Sequence, residues 1–432
     1  MNVQNYLFEQ NVHWQNHTYD AGTERALLTS LTKFMDLDQI LAISGIRRCG
    51  KSFLLKQIIN GLLHQGVSPE NILFVNLELP AFIGQSAPKV LDQIFETWQK
   101  IHHLKGRLYI FLDEIQTLPQ WEAWLKYHYD LNKGKYKFFI TGSNSQLLSA
   151  EFASLLSGRI IEKRLFPFSF KECLDFKTIQ WKNPQQRALN RIQIKREFDR
   201  YLHFGGMPET LPVEYTEIKR ELLSSYFNAI LYRDIIPRFG VREGTLLNEV
   251  AIYLLGHASD VVNISKLAQY FKINRVTLGD FIRYLTLSYL LVLTSRFSFS
   301  AKTRELSQRK CYTLDTGFAN LLPLRFSPDH GKLLENLVLI ELLRRDNKVF
   351  FWRNSNECDF IIETPDGIRK AIQVCYELTP SNRSRELKGL LTAGQAVKAD
   401  EVMILTLDST DRLEIEQNRV DILPVSDWML SE

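Results

Sequence analysis

Gly45 and Gly50 bracket four residues in "ISGIRRCGKSFLLKQI" (43–58), and Lys51 and Ser52 complete G-x-x-x-x-G-K-[ST] without a gap. This spacing suits a triphosphate, which needs many donors close together. The glycines let the backbone of Ile46, Arg47, Arg48 and Cys49 wrap tightly, so that successive N–H groups point at phosphate oxygens. The helix that starts through Phe53 adds unpaired N–H groups and the positive end of its dipole. In that reading Lys51 bridges the outer two phosphates and the Ser52 hydroxyl ligates Mg2+. ATP is the expected nucleotide. No N-K-x-D stretch marks a guanine site, although spacing alone does not separate the purine triphosphates.

The flanking pattern supports the loop. "DQILAISG" before it is a short apolar run fit for a buried parallel strand, and "KSFLLKQIINGLLHQG" after it is an amphipathic helix stopped by Gly66. A second run, "RLYIFLDEIQ", ends in Asp113 and Glu114 and delivers both carboxylates to a strand's C-terminal edge, where nucleotides sit in open α/β sheets. Asp113 is expected to hold the magnesium-bound water and Glu114 to polarise the attacking water. A third strand, "KYKFFITGSNS", resembles the sensor strand of P-loop ATPases that carry a glutamate after the magnesium aspartate. That resemblance makes Ser143 and Asn144 candidates for reading the γ-phosphate. In "LLSGRIIEKRLFPFSFKE", Arg159 stands where AAA-type ATPases place an arginine that reaches a neighbouring subunit's nucleotide. Such a finger is worth about 10³ to 10⁵ in rate and requires an oligomer.

These residues need a scaffold, and the chain has room for one. Its 432 residues are 45% hydrophobic and 24% charged, an ordinary globular composition with space for two or three domains. The net charge of +4 does not by itself indicate nucleic acid. Five scattered cysteines form no C-x-x-C pair, which fits a reduced cytosol, and no apolar run is long enough for a membrane span. A cytoplasmic location without a membrane partner is therefore expected. Strands near 39–44, 71–78, 107–113, 137–142 and 160–165 alternate with helices, the signature of a parallel sheet with flanking helices. This P-loop unit spans 37–168. A leading segment, 1–36, carries one helix ("AGTERALLTSLTKFM"), and 169–255 reads as a helical region.

Residues 256–325 change character. "NISKLAQYFKIN" and "RVTLGDFIRYLTLSYLL" give a helix, a tight turn and a longer helix, followed by two strands: a winged helix. Its hairpin carries Arg296, Lys302, Arg304, Arg309 and Lys310 against the single acid Glu305, a cluster able to neutralise DNA phosphates. The last part, 326–432, resembles the α+β restriction-endonuclease-like fold. Glu335, Asp359 and Gln373 fall on the first three places of that metal site. The fourth should be lysine and is Cys375, which argues against catalysis and for a retained binding fold.

Taken together, "GIRRCGKS", "FLDEIQTLPQWEAWLKYHYD", "FFITGSNSQLL", "LLSGRIIEKRLFPFSFKE" and "YLHFGGMPE" resemble the bacterial and archaeal AAA-type P-loop ATPases with a C-terminal domain of unknown function. "YTLDTGFANLL", "LLENLVLIELL" and "ECDFII" resemble that C-terminal domain, which is similar to a winged helix followed by a nuclease-like fold. The resemblance implies nucleotide hydrolysis. With the finger and the basic hairpin it leads to a homo-oligomeric motor or switch, such as a hexameric ring, on DNA, including branched or recombining DNA. Two alternatives remain: a signalling or chaperone-like ATPase whose C-terminal half binds protein, and an ATP-regulated metal-dependent nuclease.

Overall fold

The computed structural model describes residues 3–82, 84–143, 155–321, 329–415 and 418–431. The chain forms two compact units, Met1–Phe166 and Pro167–Glu432.

The first unit is built on a five-stranded parallel sheet. Its strands are β1 (Ile40–Ser44), β2 (Ile72–Asn76), β3 (Leu108–Asp113), β4 (Tyr136–Gly142) and β5 (Ile160–Arg164), in the spatial order β2-β3-β4-β1-β5. Every residue of β1 and β4 is buried, as continuous apolar runs between two helical layers should be. Because β4 lies between β1 and β3, the C-terminal ends of these three strands are neighbours, and the sequence motifs meet there. Four principal helices flank the sheet after a leading one: α1 (Val3–Gln10), α2 (Ala26–Leu31), α3 (Lys51–His64), α4 (Ala87–Ile101) and α5 (Trp121–Leu131). In α4, Val90, Leu91, Ile94, Phe95 and Trp98 form one buried stripe at helical spacing, with a proline in the first turn where the missing N–H is harmless.

The leading segment departs from expectation. The reading of one helix in residues 1–36 missed α1, and the anticipated helix over 21–35 is confined to α2 and a short 3₁₀ turn. The physical role explains why periodicity did not reveal it. Strand β2 is an edge, and the segment covers its free backbone groups with side chains. Tyr6 donates to Asn76 O at 2.6 Å. Asn11 donates to Phe74 O at 2.9 Å and accepts from Phe74 N at 2.6 Å, and Trp14 Nε1 donates to Ile72 O at 2.9 Å.

The second unit begins with helices α6 (Phe170–Phe176), α7 (Pro184–Leu189), α8 (Arg191–Phe204) and α9 (Thr216–Ala229). A Ser169–Glu172 capping box starts α6. A π-helical stretch (Ile230–Ile235), α10 (Ile236–Phe239) and α11 (Gly244–Gly256) follow. Strand β6 (Val261–Val262) leads to α12 (Ile264–Tyr270) and α13 (Arg275–Leu287), capped by the Asn263 and Asn274 side chains. Then come β7 (Leu291–Arg296), α14 (Ala301–Glu305), β8 (Arg309–Thr313), α15 (Thr316–Ala319) and α16 (His330–Arg344). The chain ends with β9 (Lys348–Arg353), β10 (Glu357–Glu363), β11 (Arg369–Cys375), α17 (Arg383–Val397), β12 (Glu401–Thr406), β13 (Asp411–Ile415), β14 (Asn418–Pro424) and α18 (Val425–Leu430). These strands make one nine-stranded mixed sheet, β13-β14-β12-β11-β10-β9-β7-β8-β6. The β7–β8 hairpin is stitched to β9 by a short parallel register, Ser295 with Phe350 and Arg296 with Phe351. Helix α16 lies in a core with Phe360, Ile372 and Leu405, while Leu390, Ala393 and Val397 of α17 lie in another with Ile361, Ala371 and Ile404. Alternation along β10 to β12 therefore feeds two different cores.

Candidate functional site

The loop 45–50 leaves the end of β1 and feeds α3. A side chain at Gly45 would place its Cβ 2.3 Å from the Leu165 carbonyl oxygen, so only glycine passes there. Gly50 adopts φ 99° immediately before the first helical residue, Lys51, and Arg48 sits in the left-handed region at φ 68°. The loop is anchored from behind. Arg25 donates to Cys49 O at 2.8 Å and to Phe166 O at 2.7 Å, and Arg47 donates to Glu78 at 2.5 Å. Ile46 and Cys49 are buried, whereas Phe53 is nearly half exposed, with the Lys56 ammonium 5.3 Å from its ring centroid.

Around the loop the structure gathers most of the expected chemistry. The Ser52 hydroxyl donates to Asp113 Oδ2 at 2.6 Å. The other carboxylate oxygen, Oδ1, accepts from Thr141 Oγ1 at 2.6 Å, and the same Thr141 oxygen accepts the Glu114 N–H at 2.8 Å. Glu114 itself holds φ 55°, a strained conformation for a residue with a side chain, so this backbone bond helps fix it. Lys51 donates to Gly45 O at 3.2 Å and lies 3.3 Å from Glu114 Oε1. Gln116 Nε2 bonds Glu114 Oε2 at 2.5 Å and Ser143 Oγ at 3.2 Å, linking the two strand ends.

The electrostatics follow from burial. Burial, reinforced by Glu114, pushes the Asp113 carboxyl up to about 6 against the pull of its two hydroxyl donors. Such a carboxylate gains from a nearby cation, and with the adjacent Ser52 hydroxyl it is a donor pair suited to Mg2+. Burial also opposes charge on Lys51 and Glu114. Their mutual attraction outweighs it, so the lysine lies above and the glutamate below its ordinary range.

One expected residue stands away from the loop. Arg159 precedes β5, whose first residue pairs with the first residue of β1, so it stands at the opposite edge of the sheet. One five-residue strand separates it from the loop, about 16 Å. Its guanidinium bonds Asp130 at 2.7 and 3.1 Å. Asn144 lies outside the described residues. Sequence reasoning missed Thr141, Gln116, Arg25 and Glu78. Thr141 was visible as the first polar residue ending "FFIT", but nothing local marks the other three.

Comparisons with known proteins follow this division of the chain. Residues 37–174 match the AAA domain model, 195–329 a domain of unknown function (DUF8612), and 330–428 another (DUF4143). An uncharacterized protein of Methanocaldococcus jannaschii is 31% identical over 410 residues, covering 91% of this chain and 89% of its own length. The chain belongs to the bacterial and archaeal family of AAA-domain P-loop proteins with a C-terminal DUF4143 domain. An uncharacterized Haemophilus influenzae protein is likewise 31% identical over 413 residues, 93% of this chain and 97% of that one. Among solved structures, a Walker-type ATPase of Pyrococcus abyssi covers 69% of this chain and 95% of its own, at 18% identity and a TM-score of 0.43.

The DUF4143 region brings Glu335 and Asp359 together, but around a lysine. Lys310, from the preceding DUF8612 region, is 4% exposed, and its ammonium lies 3.1 Å from Glu335, 3.0 Å from Glu357 and 3.4 Å from Asp359. Tyr312, two residues on and on the same face of β8, donates to Glu335 at 2.7 Å. Gln373 accepts from Asp359 N at 3.2 Å and donates to Glu386 at 2.7 Å, while the Cys375 thiol bonds Glu377 O at 3.0 Å. This corrects the assignment of Lys310 to a DNA-facing surface: strand alternation turns it inward to neutralise buried carboxylates. Arg296, Lys302 and Arg309 remain exposed, and Arg304 is half-buried with its guanidinium 5.3 Å from the Phe350 ring. No described helix is long and apolar enough to cross a membrane.

Proposed function

We propose that the chain is a Mg2+-dependent ATPase that works as a homo-oligomer on DNA. The observation that carries the ATPase reading is the contact of Ser52 with Asp113 at the mouth of a glycine loop whose lysine already touches Glu114. The loop amides from Ile46 to Lys51 and the Lys51 ammonium hold the phosphate chain. Ser52 and Asp113 would hold the metal ion, which would supply positive charge to the phosphoryl group. Once phosphates draw Lys51 away, Glu114 is free to orient and deprotonate water, with Gln116 and Ser143 fixing its position and Asn144 a further candidate for reading the γ-phosphate. Arg159 cannot serve its own nucleotide from the far sheet edge, which supports a finger supplied to a neighbouring copy, as in a closed ring. Arg296, Lys302, Arg304 and Arg309 are the DNA-contacting candidates. A signalling ATPase whose C-terminal half binds protein is the competing reading. A nuclease role for Glu335 and Asp359 loses its support to Lys310, which occupies the space between them.

The test is steady-state phosphate release with and without duplex or forked DNA. Glu114→Gln should bind ATP with wild-type affinity and turn over about 10²-fold or more slowly. Arg159→Ala should bind but not hydrolyse, and mixing it with Lys51→Ala should restore part of the activity. Wild-type turnover in Glu114→Gln refutes the assignment of the water-activating group. DNA that neither binds nor stimulates favours the protein-binding reading.

A further inference from the structure

The connection between β7 and β8 presents apolar side chains as well as charge. Phe299 is 66% exposed and Leu306 is 78% exposed. Exposed apolar residues scattered singly carry no message, but these two stand among cations. From the end of β7 to the start of β8 the chain carries Arg296, Lys302, Arg304 and Arg309 against the single acid Glu305. Lys310 does not join them, because it is buried among carboxylates.

The connection is anchored at both ends of the exposed aromatic. Phe297 N donates to Phe351 O at 2.7 Å, and the buried Phe297 ring meets the Phe350 ring edge-on at 5.6 Å. A period of two would bury Phe299 as well, but β7 ends at Arg296 and the chain has left the sheet. The Ser300 side chain then caps α14, accepting from Thr303 N at 3.3 Å. Phe299 is thereby held at the surface, its ring edge-on to Phe297 at 5.2 Å and its centroid 5.8 Å from the Arg369 guanidinium. Arg369 is itself engaged, 3.3 Å from Glu363. Arg296 bonds only the neutral Asn354 among the described residues, so its charge is left for an anion.

Charge and ring together select the ligand. Four cations suit a phosphate backbone, but a hydrocarbon ring gains nothing from phosphates. A duplex covers the faces of its bases by stacking them on one another. An unpaired strand offers both an anionic backbone and free base faces. We infer that this connection binds single-stranded DNA, with Phe299 stacked on an unpaired base and Arg296, Lys302, Arg304 and Arg309 on the flanking phosphates. The inference rests on the DNA reading above and narrows it to unpaired strands, such as the open arm of a fork.

The experiment is fluorescence anisotropy of the full chain with a labelled oligothymidine of about 20 nucleotides and with a duplex of the same length. The single strand should bind more tightly than the duplex. Phe299→Ala should weaken single-strand binding roughly 5- to 150-fold, leaving duplex affinity and the salt slope unchanged, and Phe299→Trp should retain wild-type affinity. The side chain is exposed, so both variants should fold, which circular dichroism checks. Tighter binding of the duplex, or single-strand binding that Phe299→Ala leaves intact, overturns the inference while the DNA reading stands. An equal loss on both ligands overturns it too, and points to a wedge between paired bases. If neither oligonucleotide binds, the DNA reading falls with it and the exposed ring belongs to a protein contact.

Discussion

Replacing Lys310 with methionine keeps the length of the side chain and removes the cation that touches all three of Glu335, Glu357 and Asp359. Glu335 and Asp359 are nearly as buried as the lysine, so they cannot fall back on water. Breaking a buried ion pair from one side costs about 3–5 kcal/mol, because a charge is left without compensation. Burial, with Asp359 reinforcing it, already raises Glu335 to about 8, and Asp359 is raised by burial although Lys310 pulls it down. Without the lysine both carboxyls rise further. The folded variant then holds more protons than the unfolded chain from the ordinary carboxyl range to above pH 8. Its stability is therefore greatest below that range and falls as pH rises through it. The penalty should be small at pH 5 and large at pH 8. The assay is hydrogen exchange of the amides of β8 and β10, read peptide by peptide so that the first unit does not enter the comparison. A loss of 3–5 kcal/mol corresponds to exchange roughly 10² to 4 × 10³-fold faster in these strands. The double variant Lys310→Met/Asp359→Asn should recover about 2 kcal/mol of this, the coupling expected of neighbours. Less than about 1 kcal/mol of loss at pH 8, no pH trend, or additive effects in the double variant would refute a charge-neutralising role.

Further outcomes follow from the phosphate loop and the hairpin. Lys51→Ala should lose ATP binding in calorimetry, because the phosphate chain loses its only ammonium partner in the loop. Thr141→Val removes the oxygen that bonds both Asp113 and Glu114 N, and should slow turnover about tenfold with smaller change in ATP affinity; an unchanged rate would mean the strained Glu114 backbone needs no such support. Changing Arg296, Lys302, Arg304 and Arg309 to glutamine should reduce the salt slope of DNA binding by about 3 to 4 in fluorescence anisotropy, whereas adding Lys310 to the set should change folding rather than the slope.

The first unit was largely legible in the sequence because its signals are local. A continuous apolar run, a glycine loop and an amphipathic helix specify one strand–loop–helix crossover, and the strands "ILAIS", "ILFVN", "LYIFLD", "YKFFITG" and "IIEKR" fall where their apolar character puts them. What escaped notice acts across the fold. Arg25 and Glu78 reach the loop from separate elements, and their positions follow from packing rather than spacing, whereas Gln116 reaches Glu114 from two residues along the same turn. The second unit shows the limit more plainly. Charge counting along "SRFSFSAKTRELSQRK" grouped Lys310 with surface arginines, yet a period of two sends it to the opposite face from Arg309. Cys375 leaves its strand without the lysine the pattern asks for; the ammonium between Glu335 and Asp359 comes from a strand 65 residues earlier.

The contact between Lys51 and Glu114 couples the two groups on which the proposed reaction depends. The group expected to attack through water is neutralised by the group expected to greet the nucleotide, so neither is idle and neither is available. On the proposed assignment, a triphosphate that takes up the lysine would release the carboxylate beside the bond to be cut. That coupling would tie readiness for cleavage to occupancy through a single 3.3 Å contact.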